Sequence, residues 1–374
     1  MKIIILVRIL WTAGAPKVAI DEYKVLEKLG HDVHLIFLRK TPSGDLFLPL
    51  LQGVHWNIIS SGSPARFTSI YDLITGIFMP DRKGDGRLDY NLIREFPSYI
   101  KDIKPDLVIC HDQWAGLAGY YAFKKYGVKY VTILHESLGE YKVPFLGKMA
   151  NYFEKRTLKN SHRIFAINEN IANSVKLLYH FTAIVNYHGM DSISTIKYDN
   201  KKNLIVASST WDKNRAKDVY LKAITVLPDY KLFIAGRWRD ALLKEYYVKL
   251  INQYNLSKRV ELIDSIDEAE LKRLYACSKF VMRFGYKENG NPHAIIDALS
   301  NGTLPILNSE LGIAKLIKDF DAGLIVDPTR EDQIVQSIKR ADNDKEYSKF
   351  QDNISKLCSI YTWEKHCKLI LDSL

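Results

Sequence analysis

The residues with the clearest capacity for chemistry lie between Lys279 and Gly312, in KFVMRFGYKENGNPHAIIDALSNGTLPILNSELG. The apolar run from Phe280 to Phe284 is short enough for a buried strand, and a polar, Gly-containing loop follows it. A helix is predicted next, with Asn291 suited to the N-cap, Pro292 to the first helical position and Gly302 to the stop just past the end. At roughly 100° per residue, Ile295, Ile296 and Leu299 share a face that should pack on a sheet. His293 and Asp297 share the opposite face. Amides of the loop and helix start, from Asn289 and Gly290 through Asn291 to His293 and Ala294, would then lie beside a carboxylate that accepts hydroxyl hydrogen bonds. That combination suits a phosphate joined to a sugar. The pattern equally suits an ordinary strand–loop–helix unit with a solvated outer face.

These residues resemble the signature of retaining glycosyltransferases of the GT-B fold, glycosyltransferase family 4. The family carries a Glu-x(7)-Glu motif followed by a small-residue stretch and a Gly-Thr-Pro run. DALSNGTLPIL matches the second half and puts Asp297 at the second acidic position, and Glu288 is the candidate for the first. Two departures stand out: the spacing is one residue longer, so that Asn289 occupies the strictly spaced position, and Asp is one methylene shorter than Glu. The resemblance implies that Glu288 contacts sugar hydroxyls and Asp297 the ribose of a nucleotide.

The elements that would position these groups need a long chain. At 374 residues there is room for two domains, each with its own core. A net charge of +10 favours an anionic partner, whether a nucleotide diphosphate or an anionic membrane surface. The basic residues are dispersed and no nucleic-acid motif appears, so no nucleic-acid partner is expected. Cys110, Cys277, Cys358 and Cys367 lie far apart without a CxxC, and read as reduced thiols in a cytosolic chain. Arg8 interrupts the N-terminal apolar run too early for a signal peptide. No run approaches the roughly 18 apolar residues of a membrane span. The expected location is the cytoplasm, at most peripherally at the cytosolic membrane face.

From the N-terminus, Ile3 to Val7 reads as a buried strand, followed by the loop WTAGAP, a helix, and a second strand after Gly30. The turn around Gly14 lacks the GxGxxG spacing of a dinucleotide site. The resemblance implies that its backbone approaches donor phosphate and acceptor; a plain tight turn is the other reading. Further strands are predicted at Val54 to Ile59, Leu107 to Cys110, Tyr130 to Leu134 and Arg163 to Ile167. His111 and Asp112 end one strand, and His135 lies just past another, where α/β sheets line a ligand crevice. A histidine at such a place also serves as a satisfied structural residue. By resemblance His135 lies near the transferred sugar, and His111 and Asp112 are the candidates on the acceptor side. Between Phe67 and Phe78 an amphipathic helix is predicted, flanked by Arg66, Arg82, Lys83 and Arg87. It would pack on the core or touch a lipid acceptor at the membrane interface.

The run TAIVNYHGMD resembles the family's closing segment of the first domain, and the strand–helix alternation restarts at Leu204 to Ala207. In LIVASSTWDKNRAKDVYLKA the family's Lys position falls on Arg215, whereas its Arg position falls on Thr210. Lys213 and Lys217 lie nearby, and the resemblance assigns Arg215 and Lys213 to the diphosphate. As a bare cluster, these cations would suit a solvated helix start. The stretch KLFIAGRW matches the family's strand–Gly, GLIVDP its later strand and turn, and YTWEKHCKLILDSL its terminal helix, with Trp363 as a packing anchor. The predicted fold is therefore α/β, of GT-B type: two Rossmann-like doubly wound domains facing a cleft. Residues 1–190 form the acceptor domain, with 356–374 crossing back onto it, and residues 200–355 form the nucleotide-sugar domain.

The implied activity is transfer of a hexose, with retention, from a nucleotide sugar to a saccharide or lipid-linked saccharide. UDP-sugars rank ahead of GDP-mannose. No metal-ligand cluster or DxD motif suggests a metal, and no cofactor is expected, the nucleotide sugar being a substrate. Two other readings carry weight: a non-catalytic GT-B subunit of a glycosylation complex, and a nucleotide-sugar 2-epimerase on the same fold.

Overall fold

The computed structural model describes residues 1–11, 13–60, 90–139, 144–191, 196–286 and 288–374. The amphipathic pattern from Phe67 to Phe78 lies outside the described residues. The chain forms two units, Met1–Tyr187 with Trp363–Leu374, and His188–Thr362.

In the first unit β1 (Lys2–Leu10), β2 (Asp32–Lys40), β3 (Trp56–Ser60), β4 (Leu107–His111), β5 (Lys129–Leu134), β6 (Arg163–Ala166) and β7 (Ile184–Val185) make one sheet, ordered β3-β2-β1-β4-β5-β6-β7. Each neighbouring pair is parallel. Parallel strands covered on both faces need near-continuous apolar sequence, and β1 reads KIIILVRIL. Its side chains alternate between two cores. Ile3, Ile5 and Val7 join Ala19, Ile20 and Tyr23 of the first helix (Gly14–Lys28), and Ile4 and Leu6 join Ile93, Phe96 and Leu117. The strand outruns its apolar start because the Arg8 guanidinium finds a carboxylate, with Nε 3.6 Å from Asp112.

In the second unit β8 (Lys202–Ser208), β9 (Lys231–Ala235), β10 (Val260–Ile263), β11 (Ser278–Arg283), β12 (Leu304–Leu307) and β13 (Leu324–Ile325) form a parallel sheet ordered β10-β9-β8-β11-β12-β13. Each sheet reverses its order of growth once, between β1 and β4 in the first unit and between β8 and β11 in the second. In open parallel sheets the loops leaving the carboxyl ends of such strands diverge, and the space between them is the usual ligand position.

The chain returns to the first unit at Trp363, later than residue 356, because the helix Asp344–Ile360 runs unbroken and packs within the second unit. Tyr347 of that helix donates to the Lys279 carbonyl at 2.5 Å, and Gln351 donates to that of Gly302 at 3.1 Å. From the last helix (Trp363–Asp372), Cys367 and Ile370 are wholly buried in the first unit's core. Trp363 is 9% exposed and stands edge-on to His366.

Candidate active site

On the second unit, the loops after β8 and β11 bring together most of the expected donor-side residues. Arg215 is the hub of one side. Its Nη2 donates to Glu288 Oε1 at 2.7 Å, its Nε to Oε2 at 3.3 Å, and its Nη1 to the Thr210 carbonyl at 3.1 Å. Arg283, the last residue of β11, donates from Nη2 to both Glu288 oxygens at 2.8 and 2.7 Å, and from Nη1 to the Phe284 carbonyl. In the sequence Arg283 reads only as part of the apolar run from Phe280 to Phe284. It is 2% exposed, and a guanidinium so buried requires paired acceptors. Two guanidiniums thus share one carboxylate and leave the cluster net positive. Lys213 is exposed, and Lys217 donates to its carbonyl while its ammonium stands 6.0 Å from the Tyr286 ring centroid.

The loop carrying Glu288 is tied down at its backbone. Asn308 accepts from the Gly285 amide at 3.1 Å and donates to the Gly285 carbonyl at 2.7 Å. Further on, the Gly312 amide donates to the Gly290 carbonyl at 3.0 Å. Gly285 is required for the Glu288 geometry, because a Cβ there would lie 2.4 Å from Glu288 Oε2.

The signature helix runs from His293 to Ser300, one residue later than its sequence predicts. Pro292 is extended, at φ −63° and ψ 125°, and its carbonyl accepts from Ile295 and Ile296. Pro292 rather than Asn291 is therefore the cap, and Asn291 is 7% exposed within the loop. Asn289, Gly290, Ala294 and Asp297 are half-buried around this turn. His293 stacks on His188, with ring centroids 5.3 Å apart. Asp297 places a negative charge near Tyr275, whose hydroxyl is bonded to Ser208 at the end of β8. Burial, and then that charge, push the Tyr275 phenol up.

On the first unit, His135 follows β5 and is half-buried. Its Nε2 lies 3.0 Å from Nδ1 of His111, the last residue of β4, with the rings stacked 5.2 Å apart. His111 is wholly enclosed, so it acts on any ligand through His135. Its Nε2 lies 3.0 Å from Glu22 Oε2, and the other oxygen of Glu22 lies 2.8 Å from His366 Nε2. Burial alone would raise the Glu22 carboxyl, but the charges and hydrogen bonds of the two imidazoles outweigh it and hold its pKa at about 2. Neither Glu22 nor His366 belongs to a site motif in the sequence. Asp112 proves to be a helix cap: its Oδ1 accepts the amides of Trp114 and Ala115, both at 2.7 Å, from a backbone φ of 88°. Gly14 opens the first helix and is exposed. Among the described residues no group of three His, Cys, Asp or Glu side chains is placed to hold a metal ion.

Two family models match the chain: Glycosyltransferase Family 4 over residues 12–192 and Glycosyl transferases group 1 over residues 192–356. Among solved structures, HepE of Anabaena in complex with UDP is similar at a TM-score of 0.76 and 13% identity, over 100% of this chain and 99% of that one. Sucrose-phosphate synthase of Thermosynechococcus elongatus is similar at 0.75 and 15%, over 100% and 98%. A glycosyltransferase of Rickettsia africae is similar at 0.75 and 17%, over 99% and 97%. At these identities the likeness establishes the fold. A search of curated proteins finds no match.

Proposed function

The chain belongs to glycosyltransferase family 4 and is a GT-B glycosyltransferase, and from that premise we propose that it moves a hexose from a nucleotide sugar to a saccharide or lipid-linked saccharide with retention. The observation that carries this reading is the pair of guanidiniums, Arg215 and Arg283, sharing Glu288 at the crevice of the second sheet. An incoming diphosphate offers those guanidiniums a second anion, and Glu288 turns to the sugar hydroxyls. Arg215, with Lys213 and the amides from Asn289 to Ala294, stabilises the charge that develops on the leaving diphosphate. Asp297 holds the ribose.

In this reading the acceptor hydroxyl attacks the anomeric carbon on the face the nucleotide leaves. One carbon–oxygen bond forms as another breaks, and the acceptor's proton passes to the departing phosphate oxygen. Protein cations meet the charge, so the step requires no metal and no cofactor. Residues 1–190 take the acceptor, with His135 beside the transferred sugar, and residues 200–355 take the donor. HepE, solved with UDP and with UDP-glucose, supports a UDP-sugar over GDP-mannose. The net charge of +10 supports an acceptor presented at an anionic surface.

Calorimetric titration of UDP, GDP and ADP tests the proposal, with the wild type beside Arg215→Ala and Asp297→Ala. UDP is expected to bind at micromolar affinity and each substitution to weaken it at least about tenfold. Failure of every nucleotide to bind, or substitutions without effect, would remove the donor assignment. Turnover of the identified donor on soluble against lipid-linked saccharides then separates the acceptor classes.

A further inference from the structure

On several helices a lysine stands one turn from a carboxylate and pairs with it, as Lys17 does with Asp21, Lys272 with Glu268 and Lys368 with Glu364. Two neighbouring helices of the first unit are built differently. The helix Gln113–Tyr126 has no Asp or Glu, and the helix Pro144–Asn160 packed beside it has only Glu154. That carboxylate is wholly buried and receives Tyr179 and Gln113. Exposed on the outer surface are Lys124 and Lys125 of the first helix, and Lys155, Arg156 and Lys159 of the second. Lys155 and Lys159 stand one turn apart, a like-charge spacing that weakens a helix by itself. Among the described residues none of these five cations is paired with a carboxylate.

Arg156 is held in place without being neutralised. Its Nε donates to the Tyr120 hydroxyl at 2.8 Å and its Nη1 to the Tyr152 hydroxyl at 2.7 Å. The guanidinium lies 5.1 and 5.8 Å from the centroids of those two rings. Phenols accept as neutral groups, so the full charge stays at the surface. Lys125 is braced in the same way, on the Ser98 hydroxyl at 3.2 Å and 5.3 Å from the Tyr126 ring centroid. The same turns leave aromatic rings outside the core: Tyr152 is 57% exposed, Tyr126 39% and Phe123 38%.

Cations without anions, interleaved with exposed rings, suit the headgroup layer of an anionic bilayer. Ammonium and guanidinium groups meet lipid phosphates there, and aromatic rings settle at the boundary between headgroups and acyl chains. Nucleic acid would also meet the cations, but proteins that bind single strands run them along a groove. These residues lie instead on the outer faces of two helices whose inner faces, through Leu117, Ala118 and Ala150, join the core under the sheet.

We propose that the outer faces of Gln113–Tyr126 and Pro144–Asn160 dock the protein on an anionic lipid surface, with the five cations on the headgroups and Tyr126 and Tyr152 at the boundary. The proposal deepens the lipid-linked-acceptor reading above and rests on it. The docked unit is the one that carries His135, so a saccharide on a lipid anchor would be presented to the unit that takes the acceptor.

Co-sedimentation of the full chain with vesicles tests this without any turnover. The protein should bind phosphatidylcholine vesicles carrying about one third phosphatidylglycerol, ignore pure phosphatidylcholine, and come off as salt is raised to about 0.5 M. Lys124→Gln with Lys125→Gln, and separately Lys155→Gln with Lys159→Gln, should each weaken binding about tenfold, because glutamine keeps helix propensity and removes the charge. Tyr126→Ser should weaken it about threefold. UDP affinity, read on the second unit, should be unchanged in all three variants and shows that they are folded.

Equal binding to charged and neutral vesicles overturns the proposal, as does binding to neither. Anionic vesicles bound equally well by both double variants would place the contact elsewhere and also overturn it. So would an oligonucleotide held through these lysines by a protein that ignores vesicles. A protein that docks through this face but transfers no hexose keeps the surface assignment and loses the transfer reading. One that transfers to soluble saccharides and never docks does the reverse.

Discussion

Arg283 is a full positive charge at the end of a strand whose side chains are all buried, in the apolar run FVMRF. It is stable there because Glu288, five positions on, turns both oxygens to it at 2.7 and 2.8 Å. The same carboxylate holds Arg215, so each guanidinium positions the other through a shared anion. Arg283→Met keeps the volume and removes the charge, leaving Arg215 and Glu288 neutral together. UDP affinity should fall about tenfold, or about 1.4 kcal/mol. Adding Glu288→Gln restores the lost net charge and should recover most of that affinity in a calorimetric titration. A double variant no better than Arg283→Met would show that Arg283 acts by packing alone. The clue to this residue was present in the sequence: a cation inside an apolar run needs an anion close by, and Glu288 follows in the next loop.

At the scale of elements, the loop after β8 is held by the loop after β9. Ser209 donates its amide to the Ala235 carbonyl at 3.1 Å, Trp211 donates its amide to that of Arg237 at 2.8 Å, and the Trp211 indole donates to Ala235 at 3.0 Å. Gly236 makes this approach possible. Its φ is 114°, and a Cβ there would lie 2.0 Å from the Ser209 carbonyl oxygen, a backbone atom that cannot swing aside. Gly236→Ala should therefore cost about 3 kcal/mol in thermal unfolding, through backbone strain and overpacking together. It should also weaken UDP, because the carbonyl of Thr210, next to Ser209, receives Arg215. Unchanged stability in the variant would refute the steric argument. Strands such as β1, β4 and β11 were legible because parallel strands covered on both faces are written as apolar runs. The start of the signature helix was misread by one residue. Asn291 has the right side chain for a cap, but the Pro292 carbonyl takes that role.

At the scale of the molecule, the first unit is closed by residues from both ends of the chain. Glu22 meets His111 across 89 positions and His366 across 344. No local periodicity carries such a pairing, so the network around His135 was illegible in sequence, although His111 and His135 each stood out at a strand end. A buried Glu inside an apolar helix face was the one available hint, and its partners only folding could supply. The consequence reaches stability. The Glu22 pKa is depressed from 4.5 to about 2 in the fold, so its contribution is complete above about 4.5 and is lost as pH falls from there towards 2. At about 1.4 kcal/mol per pH unit the contribution is about 3 kcal/mol. Urea unfolding across that window should therefore show the wild type losing about 3 kcal/mol more than Glu22→Gln, whose amide does not titrate. Parallel curves for the two proteins would mean that the first and last helices are joined by packing through Cys367 and Ile370, with the ion pair contributing nothing across this range.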